Sequence, residues 1–509
     1  MTGLLPILII CLFTLWTVFE EGKLSSLIKG GFLLSLAAWV ASILVSKGMV
    51  TGFPTVAVGF LGLALYGFVI QRLVVSNPLR IVVAAVAVSP FFVPGLNVID
   101  RISDSQLQDI SVDPDLELLV KVRHDQVAKV EHSIAAIPWV SNITKWTIDS
   151  PDLTTLDDYL LVNISEGKTI YRAVRHLEGI KGILWIEENE QWSQVDNITA
   201  TSEDAKTQES ISVTANDPRA RDQWNYQFLQ LDKLHSLIQQ SGKAPVRPAK
   251  LYIVDSGVDY KHEDLQTALI SHPNIDRELN ESDKNGHGTH CAGVAAAVTN
   301  NGVGIASANP GPQYVTVGSV AAMNRFGIAT QARIVESITE AIDAGADVIN
   351  MSFGGASNQI SQEVYKDLFE YAAQKNVILV AAAGNSAADA AKYVPSGRNE
   401  VITVAAINKY GEKAQFSNYI TNTNYGLAAP GTSILSTYKN GYATFDGTSM
   451  AAPHVAGIIA VMKAYKPNIT TEEAYNLLAT TGRKTREVRT IGPIVQPHKA
   501  LEKLLKSEL

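Results

Sequence analysis

Four long apolar runs open the chain, at 3–18, 30–46, 50–71 and 80–98, and the first 99 residues carry only five Lys/Arg and two Glu. Their length and lack of charge predict about four membrane helices, two of them short. No basic segment precedes the first run and more apolar runs follow it, which disfavours a cleaved signal peptide. Lys23 and Lys29 lie in the first connection, Arg72 and Arg80 in the third, and only Lys47 in the second. The bias of basic residues toward the cytoplasm then puts the N-terminus, and everything after the fourth span, outside. Merging or losing one short span reverses that orientation.

After Pro94 the pattern changes. Alternation and helical periodicity predict strand Leu116–Val122, helix Gln126–Ile137, strand Asn142–Ile148, strand Asp158–Ile164, helix Thr169–Ile180 and strand Ile183–Glu188. The order β-α-β-β-α-β within 100–190 is that of a ferredoxin-like α+β module. From Gln191 to about Ala215 the chain is rich in Ser, Thr, Asp, Glu and Gln, as an exposed linker is. Beyond Lys250, strands Leu251–Asp255, Tyr314–Val320, Asp347–Ser352, Val377–Ala383 and Val401–Ala406 alternate with helices Gly288–Val298, Thr330–Ala344, Ser361–Gln374, Ser449–Tyr465 and Thr471–Thr480. Nearly continuous apolar strands separated by helices predict an α/β domain over 216–509, with a parallel sheet covered by helices on both faces. Chemistry in such sheets collects at the carboxyl ends of the strands.

Composition narrows the function. With 42 Lys+Arg against 50 Asp+Glu the chain has a net charge of −8, and no basic field marks a nucleic-acid partner. Its two cysteines, Cys11 in the first apolar run and Cys291 deep in the soluble part, cannot form an internal disulfide framework.

Four short stretches carry reactive groups. Asp255 closes its strand in Val254-Asp255-Ser256-Gly257, so its carboxylate faces the active edge; an Asp that merely closes a turn fits the same position. His287 sits between glycines in Asn285-Gly286-His287-Gly288-Thr289-His290-Cys291, at a helix start. His287 and His290, three apart, match a metal pair in spacing only, because the glutamate of an HExxH helix is missing. His290 and His454 read better as buried, hydrogen-bonded helix residues. Asn385 follows the apolar strand that ends in Ala382-Ala383-Gly384, where an amide can donate to an oxyanion. Ser449, in Gly447-Thr448-Ser449-Met450-Ala451-Ala452-Pro453-His454, stands at a tight turn before a small-residue helix whose N-terminal N–H groups favour a developing negative charge. An N-cap is the plain alternative for that serine. Acid, imidazole, hydroxyl and amide together are the complete set for acyl transfer.

The order Asp, His, Asn, Ser in these four motifs resembles the subtilisin-like serine proteases, from about Asn216 to about Leu505. The resemblance implies a serine endopeptidase with a subtilisin-like fold, Asp255 as orienting acid, His287 as base, Ser449 as nucleophile and Asn385 as oxyanion donor. It implies further that Ser352, Phe353 and Gly354, with Ala382, Ala383 and Gly384, pair with an extended peptide and wall the first specificity pocket. No cofactor is implied for the chemistry. Asp217 in Asn216-Asp217-Pro218, Asp264 nine residues after Asp255, and Asn301 in the turn Asn300–Ile305 match the family's calcium loop, although an Asx-rich surface turn reads the same way. Cys291 matches the branch with a thiol under the active site. The stretch Ser386–Pro395 is shorter and differently composed than in secreted members, so the pocket floor is not legible.

These expectations combine into a membrane-tethered zymogen. The bilayer, a polypeptide substrate and the chain's own propeptide-like module are its partners, and the peptidase is extracytoplasmic. A signalling or scaffold protein whose protease-like domain only binds peptides is the alternative, opposed by the intact four-residue set. A transport or sensory protein ranks lower, because the spans hold no acidic residue to mark an ion path.

Overall fold

In a computed structural model, residues 117–146, 148–165, 170–189, 191–193, 213–275, 283–356 and 359–507 are described. The four predicted spans and most of the polar linker lie outside them. Among the described residues no helix is long and apolar enough to cross a membrane.

The first module is built from β1 (Glu117–Val122), α1 (Val127–Ala135), β2 (Val140–Lys145), β3 (Tyr159–Ile164), α2 (Ile170–Leu177) and β4 (Ile183–Glu188). Its antiparallel sheet runs β2-β3-β1-β4, the strand arrangement of a ferredoxin-like module. The central strand β1 shows why this sheet needs a second partner. Leu118, Val120 and Val122 pack into the module's own core, whereas Leu119 points the opposite way and is equally buried. The predicted second strand, Asn142–Ile148, begins earlier and stops at Lys145, because Trp146 and Ile148 leave the ladder to bury themselves against the peptidase helices.

A short strand β5 (Gln191–Ser193) follows, and after the linker come α3 (Leu231–Ser241), β6 (Ala249–Asp255), β7 (Leu269–Ile275), α4 (His287–Ala296), β8 (Val315–Ala321), β9 (Ile328–Thr330), α5 (Gln331–Asp343), β10 (Val348–Met351), β11 (Gly355–Ala356), α6 (Gln359–Gln374), β12 (Ile378–Ala382), β13 (Tyr393–Val394), β14 (Ile402–Ile407), β15 (Tyr425–Pro430), the hairpin β16 (Ile434–Tyr438) and β17 (Gly441–Phe445), α7 (Thr448–Tyr465), α8 (Thr471–Thr481) and α9 (Pro497–Ser507). Seven parallel strands run β15-β14-β12-β10-β6-β8-β7. Its inner strands β10, β12 and β14 are buried at every residue, as a sheet covered on both faces requires. The outer strands β7 and β15 escape the sequence reading: β7 contains a proline, and β15 is made largely of small residues and ends on Pro430.

All residues of α7 are buried, so it runs through the protein interior with other elements packed on every side. It packs on α4 at backbone distance: a Cβ on Gly457 would come within 2.1 Å of Ala295 O. Helices α4 and α7 share one core with α3 and α9, while α5 and α6 share another with the module residues Leu119, Trp146, Leu156 and Tyr159. The module therefore covers the α5–α6 side of the sheet.

Candidate active site

Strand register aligns the reactive edge. Val254 pairs with Met351 and Met351 with Ala381, so Asp255, Ser352 and Ala382 come next along three neighbouring strands. Asp255 is fully buried, and its two oxygens lie 2.8 and 2.9 Å from His287 Nδ1. A carboxylate on Nδ1 holds the proton there and places the imidazole lone pair on Nε2, the atom a general base uses.

The turn that carries His287 is itself pinned. Asp283, 5% exposed, accepts from the N–H groups of Asn285 (3.1 Å), Gly286 (2.8 Å) and Thr289 (2.9 Å) and from the Thr289 hydroxyl (2.8 Å). Burial pushes its carboxyl upward. Gly286 adopts φ +97°, and the Tyr438 ring occupies the place a side chain would take. Three residues on, His290 donates its Nε2 proton toward Ile434 O and Ala443 O, each 3.1 Å away, and stacks on Phe445 at 4.3 Å. Burial drives its pKa down to about 3, and that of His454 likewise. The two histidines of α4 face different partners, so the metal-pair alternative falls and the structural reading of His290 holds.

Ser449 stands in the first turn of α7. Its Oγ donates to Ser352 O at 3.1 Å, and Ser352 Oγ donates to Ser449 O at 2.8 Å, which binds the end of β10 to the helix start. Cys291 lies one turn below His287, with Sγ 3.9 Å from His287 Nδ1 and 3.5 Å from Ser449 O; burial raises its thiol, so it packs between base and serine rather than reacting. Asn385 Oδ1 accepts from Thr448 N (2.9 Å) and Thr448 Oγ1 (2.8 Å). Only an oxygen can accept that N–H, so the amide's Nδ2 end is turned the other way.

The two predicted substrate segments flank this serine. Phe353 is buried, and Gly354 brings its backbone against Val394 O. Beyond Ala382, Ala383 O accepts from Asn418 Nδ2 (2.8 Å), and Gly384, at φ +101°, donates to Thr448 Oγ1 (3.0 Å) and accepts from Asn418 N (2.9 Å). Thr448, Asn418 and Asp283 are residues the sequence reading misses. Asp283 alone has a local signal, an Asp ahead of a helix that opens on Gly-His.

Asp217 and Asp264 lie together, 2% and 0% exposed. Asp217 accepts from Asn300 N (2.8 Å) and Asn301 N (3.1 Å), and Asp264 from Ile305 N (2.8 Å) and Asn301 Nδ2 (3.0 Å). Burial raises both carboxyls, Asp264 to about 6 with a further push from Asp217. Two desolvated carboxylates inside an Asn-Gly loop suit a hard dication. Asn301 presents its nitrogen here, so its oxygen would serve such an ion only after the amide turns.

A family model described as the subtilase family matches residues 248–493. Over 252 residues the chain is 37% identical to thermitase of Thermoactinomyces vulgaris, which covers 49% of this chain and 85% of that protein. It is 38% identical over 242 residues to a thermophilic serine proteinase of Bacillus sp. (strain AK1), covering 47% of this chain and 54% of that one. Fervidolysin of Fervidobacterium pennivorans, a crystal structure, superposes over 77% of this chain and 62% of its own with a TM-score of 0.61; at 24% identity that likeness shows the fold alone.

Proposed function

Given that the chain belongs to the subtilase family of serine endopeptidases, we propose that it is a membrane-tethered zymogen whose ferredoxin-like module covers the cleft until the linker is cut. In this reading Ser449 attacks a peptide carbonyl and His287 takes its proton. Asp255 holds the imidazole in the required tautomer, and Asn385 Nδ2 with the Ser449 N–H receives the oxyanion. The amine leaves with the proton from His287, and water then hydrolyses the acyl-enzyme by the same route. The polypeptide enters as an added strand along Ser352–Gly354 and Ala382–Gly384.

One observation carries the zymogen reading: β5, the first stretch after the module, pairs antiparallel with β9, with Gln191, Trp192 and Ser193 opposite Thr330, Ala329 and Ile328. Strand addition is how a peptide is expected to bind this family, and the chain's own tail already adds itself to the peptidase as a strand, at β9. Glu187 supports it by accepting from Gln331 Nε2 (3.1 Å), and Asn189 by accepting from Ala332 N (2.9 Å) at the start of α5. The four apolar runs support the tether, and the distribution of Lys and Arg supports an extracytoplasmic peptidase. Asp217, Asp264 and Asn301 would hold a calcium ion that neutralises two buried carboxylates and stiffens the Asn300–Ile305 loop.

Expression of the full chain with Ser449 intact and with Ser449→Ala, followed by N-terminal sequencing, tests the proposal. A cut between Gln191 and Asp217 in the first protein only is expected. The same cut in the alanine protein means that another protease makes it, and an uncut but fully active chain removes the zymogen.

A further inference from the structure

Two turns of the module bring three metal-ligating side chains together. His124 opens the turn His124–Gln126 after β1, and Asp157 and Asp158 end the turn Leu156–Asp158 before β3. His124 Nδ1 lies 2.7 Å from Asp158 Oδ1, and one ligand atom from each of the three residues falls within 4.8 Å of the others. Asp158 is 4% exposed, whereas the His124 side chain is 73% exposed and keeps one side of its ring open to water. An ion pair accounts for only two of these groups. Asp157 Oδ1 is shut off from solvent and meets no hydrogen-bond donor, and its carboxylate repels the buried one beside it. A single N–H at Nδ1 cannot serve both carboxylates.

We propose that His124, Asp157 and Asp158 form a binding site for a divalent cation of the zinc class, with water completing the coordination on the exposed side of His124. Imidazole nitrogen combined with carboxylate oxygen suits zinc and its neighbours, whereas magnesium and calcium take oxygen ligands alone. The ion replaces the proton shared by His124 Nδ1 and Asp158 Oδ1. Ligands about 2.0–2.2 Å from a tetrahedral zinc stand about 3.4 Å from each other, and the exposed His124 ring can open its 2.7 Å contact by that much without disturbing the core. A dication neutralises both carboxylates and gives Asp157 the partner that the protein itself does not supply. It also ties together turns 34 residues apart in sequence, closing a loop that holds α1 and β2. The second turn faces the peptidase: Leu156 packs among its helices, and Thr155 Oγ1 and Tyr159 OH donate to Asp367 of α6 at 2.9 and 2.8 Å, as Lys121 Nζ does at 2.7 Å. A bound ion therefore stiffens the end of the module that meets α6. The site stands whether or not the module acts as a propeptide, and it shares no residue with Asp217, Asp264 and Asn301.

The test uses the full-length Ser449→Ala chain in detergent, without a polyhistidine tag and with calcium in excess to fill sites made of oxygen alone. Zinc is titrated by calorimetry, and cobalt serves as the visible probe of coordination. The parent should bind one zinc ion with micromolar or tighter affinity and give cobalt d–d bands. His124→Gln and Asp157→Asn, placed in the same background, should each weaken zinc binding about tenfold or more, no less than the loss of an outer-shell partner costs, and should lose the cobalt bands. Asp125→Asn, which alters the exposed neighbour paired with Arg123, should change neither. Zinc should raise the melting temperature of the parent and leave that of His124→Gln unmoved. A parent that takes up no zinc at micromolar concentration and shows no cobalt bands overturns the proposal without recourse to any variant. Undiminished binding by both variants also overturns it, since the ion then sits elsewhere, the buried Asp255, His287 and Cys291 being the other such cluster among the described residues. Displacement of zinc by an equal concentration of magnesium overturns the assignment of metal class.

Discussion

The catalytic edge and the module interface lie on the same peptidase but are built by opposite means. At the catalytic edge, position comes from backbone: Asp255 ends a strand, His287 and Ser449 begin helices, and Asp283, Ser352 and Thr448 tie those termini together through buried hydrogen bonds. At the interface, position comes from side chains reaching from one folded body to another, chiefly onto Asp367, Asp343 and Gln331. The first arrangement survives the loss of any single reactive atom, because the elements that aim it stay in place. The second depends on a few polar contacts, so its response to substitution is graded. Chemistry here should be all-or-none, and inhibition adjustable.

Ser449→Ala is the sharpest way to break that contrast. Turnover on a casein-like substrate should fall on the order of 10⁶, the size known for triads of this kind, because acid, base and nucleophile act as a unit. Labelling by a fluorophosphonate should vanish, while the circular dichroism spectrum stays that of the parent. Persistent labelling would locate the nucleophile elsewhere. Asn385→Ala tests the other side of the carbonyl. One donor of the oxyanion hole remains, so kcat should drop about 10²–10³ with KM little changed. A drop confined to KM would mean that the amide holds ground-state substrate instead.

Next in size is the loop around Asp217 and Asp264 proposed to hold calcium, which belongs to neither region and so reports on the peptidase frame. An ion bound at 100 times its Kd adds about 2.7 kcal/mol to stability. For a domain of this size that corresponds to roughly 4–5 °C in Tm. A chelator should lower the melting temperature of the Ser449→Ala chain by that amount, and Asp264→Asn should abolish the response to added calcium. A chelator that leaves Tm unmoved returns Asp217 and Asp264 to an ordinary surface turn.

The two regions also differ in how far the sequence announces them. Asp255, His287, Asn385 and Ser449 are legible because each lies in a local pattern, a strand end or a glycine-bounded helix start, that one window of sequence contains. Strand order, Asp283's four contacts and the pairing of β5 with β9 are not, because they join residues brought together only by the closed fold. Asp367 is the extreme case: in sequence it is one more charge on an amphipathic helix, and its partners lie 208 to 246 residues away. Trp146 and Ile148 mislead for the same reason, since alternation that looks like strand in fact serves an interface.

The smallest effect expected is one of pH, and it separates the two histidines of α4. His290 has a folded pKa near 3 against 6.5 for the unfolded chain, because burial disfavours its charged form. Its contribution is full above 6.5 and is lost as pH falls toward 3, by up to about 1.4 kcal/mol per pH unit, since the unfolded chain binds a proton that the folded one refuses. The buried carboxyls of Asp217, Asp264 and Asp283 are raised, so they oppose this trend in the calcium-free protein and make the raw profile a sum. A difference measurement removes them. His290→Gln keeps donors for Ile434 O and Ala443 O but cannot take up the proton. In calcium-saturated Ser449→Ala protein, the urea midpoint of the glutamine variant should therefore fall less steeply between pH 6.5 and 4.5 than that of the parent. Parallel profiles would mean that His290 can be protonated in place, and the packing of hairpin β16–β17 over α4 would then be looser than the 3.1 Å bonds to its two strands indicate.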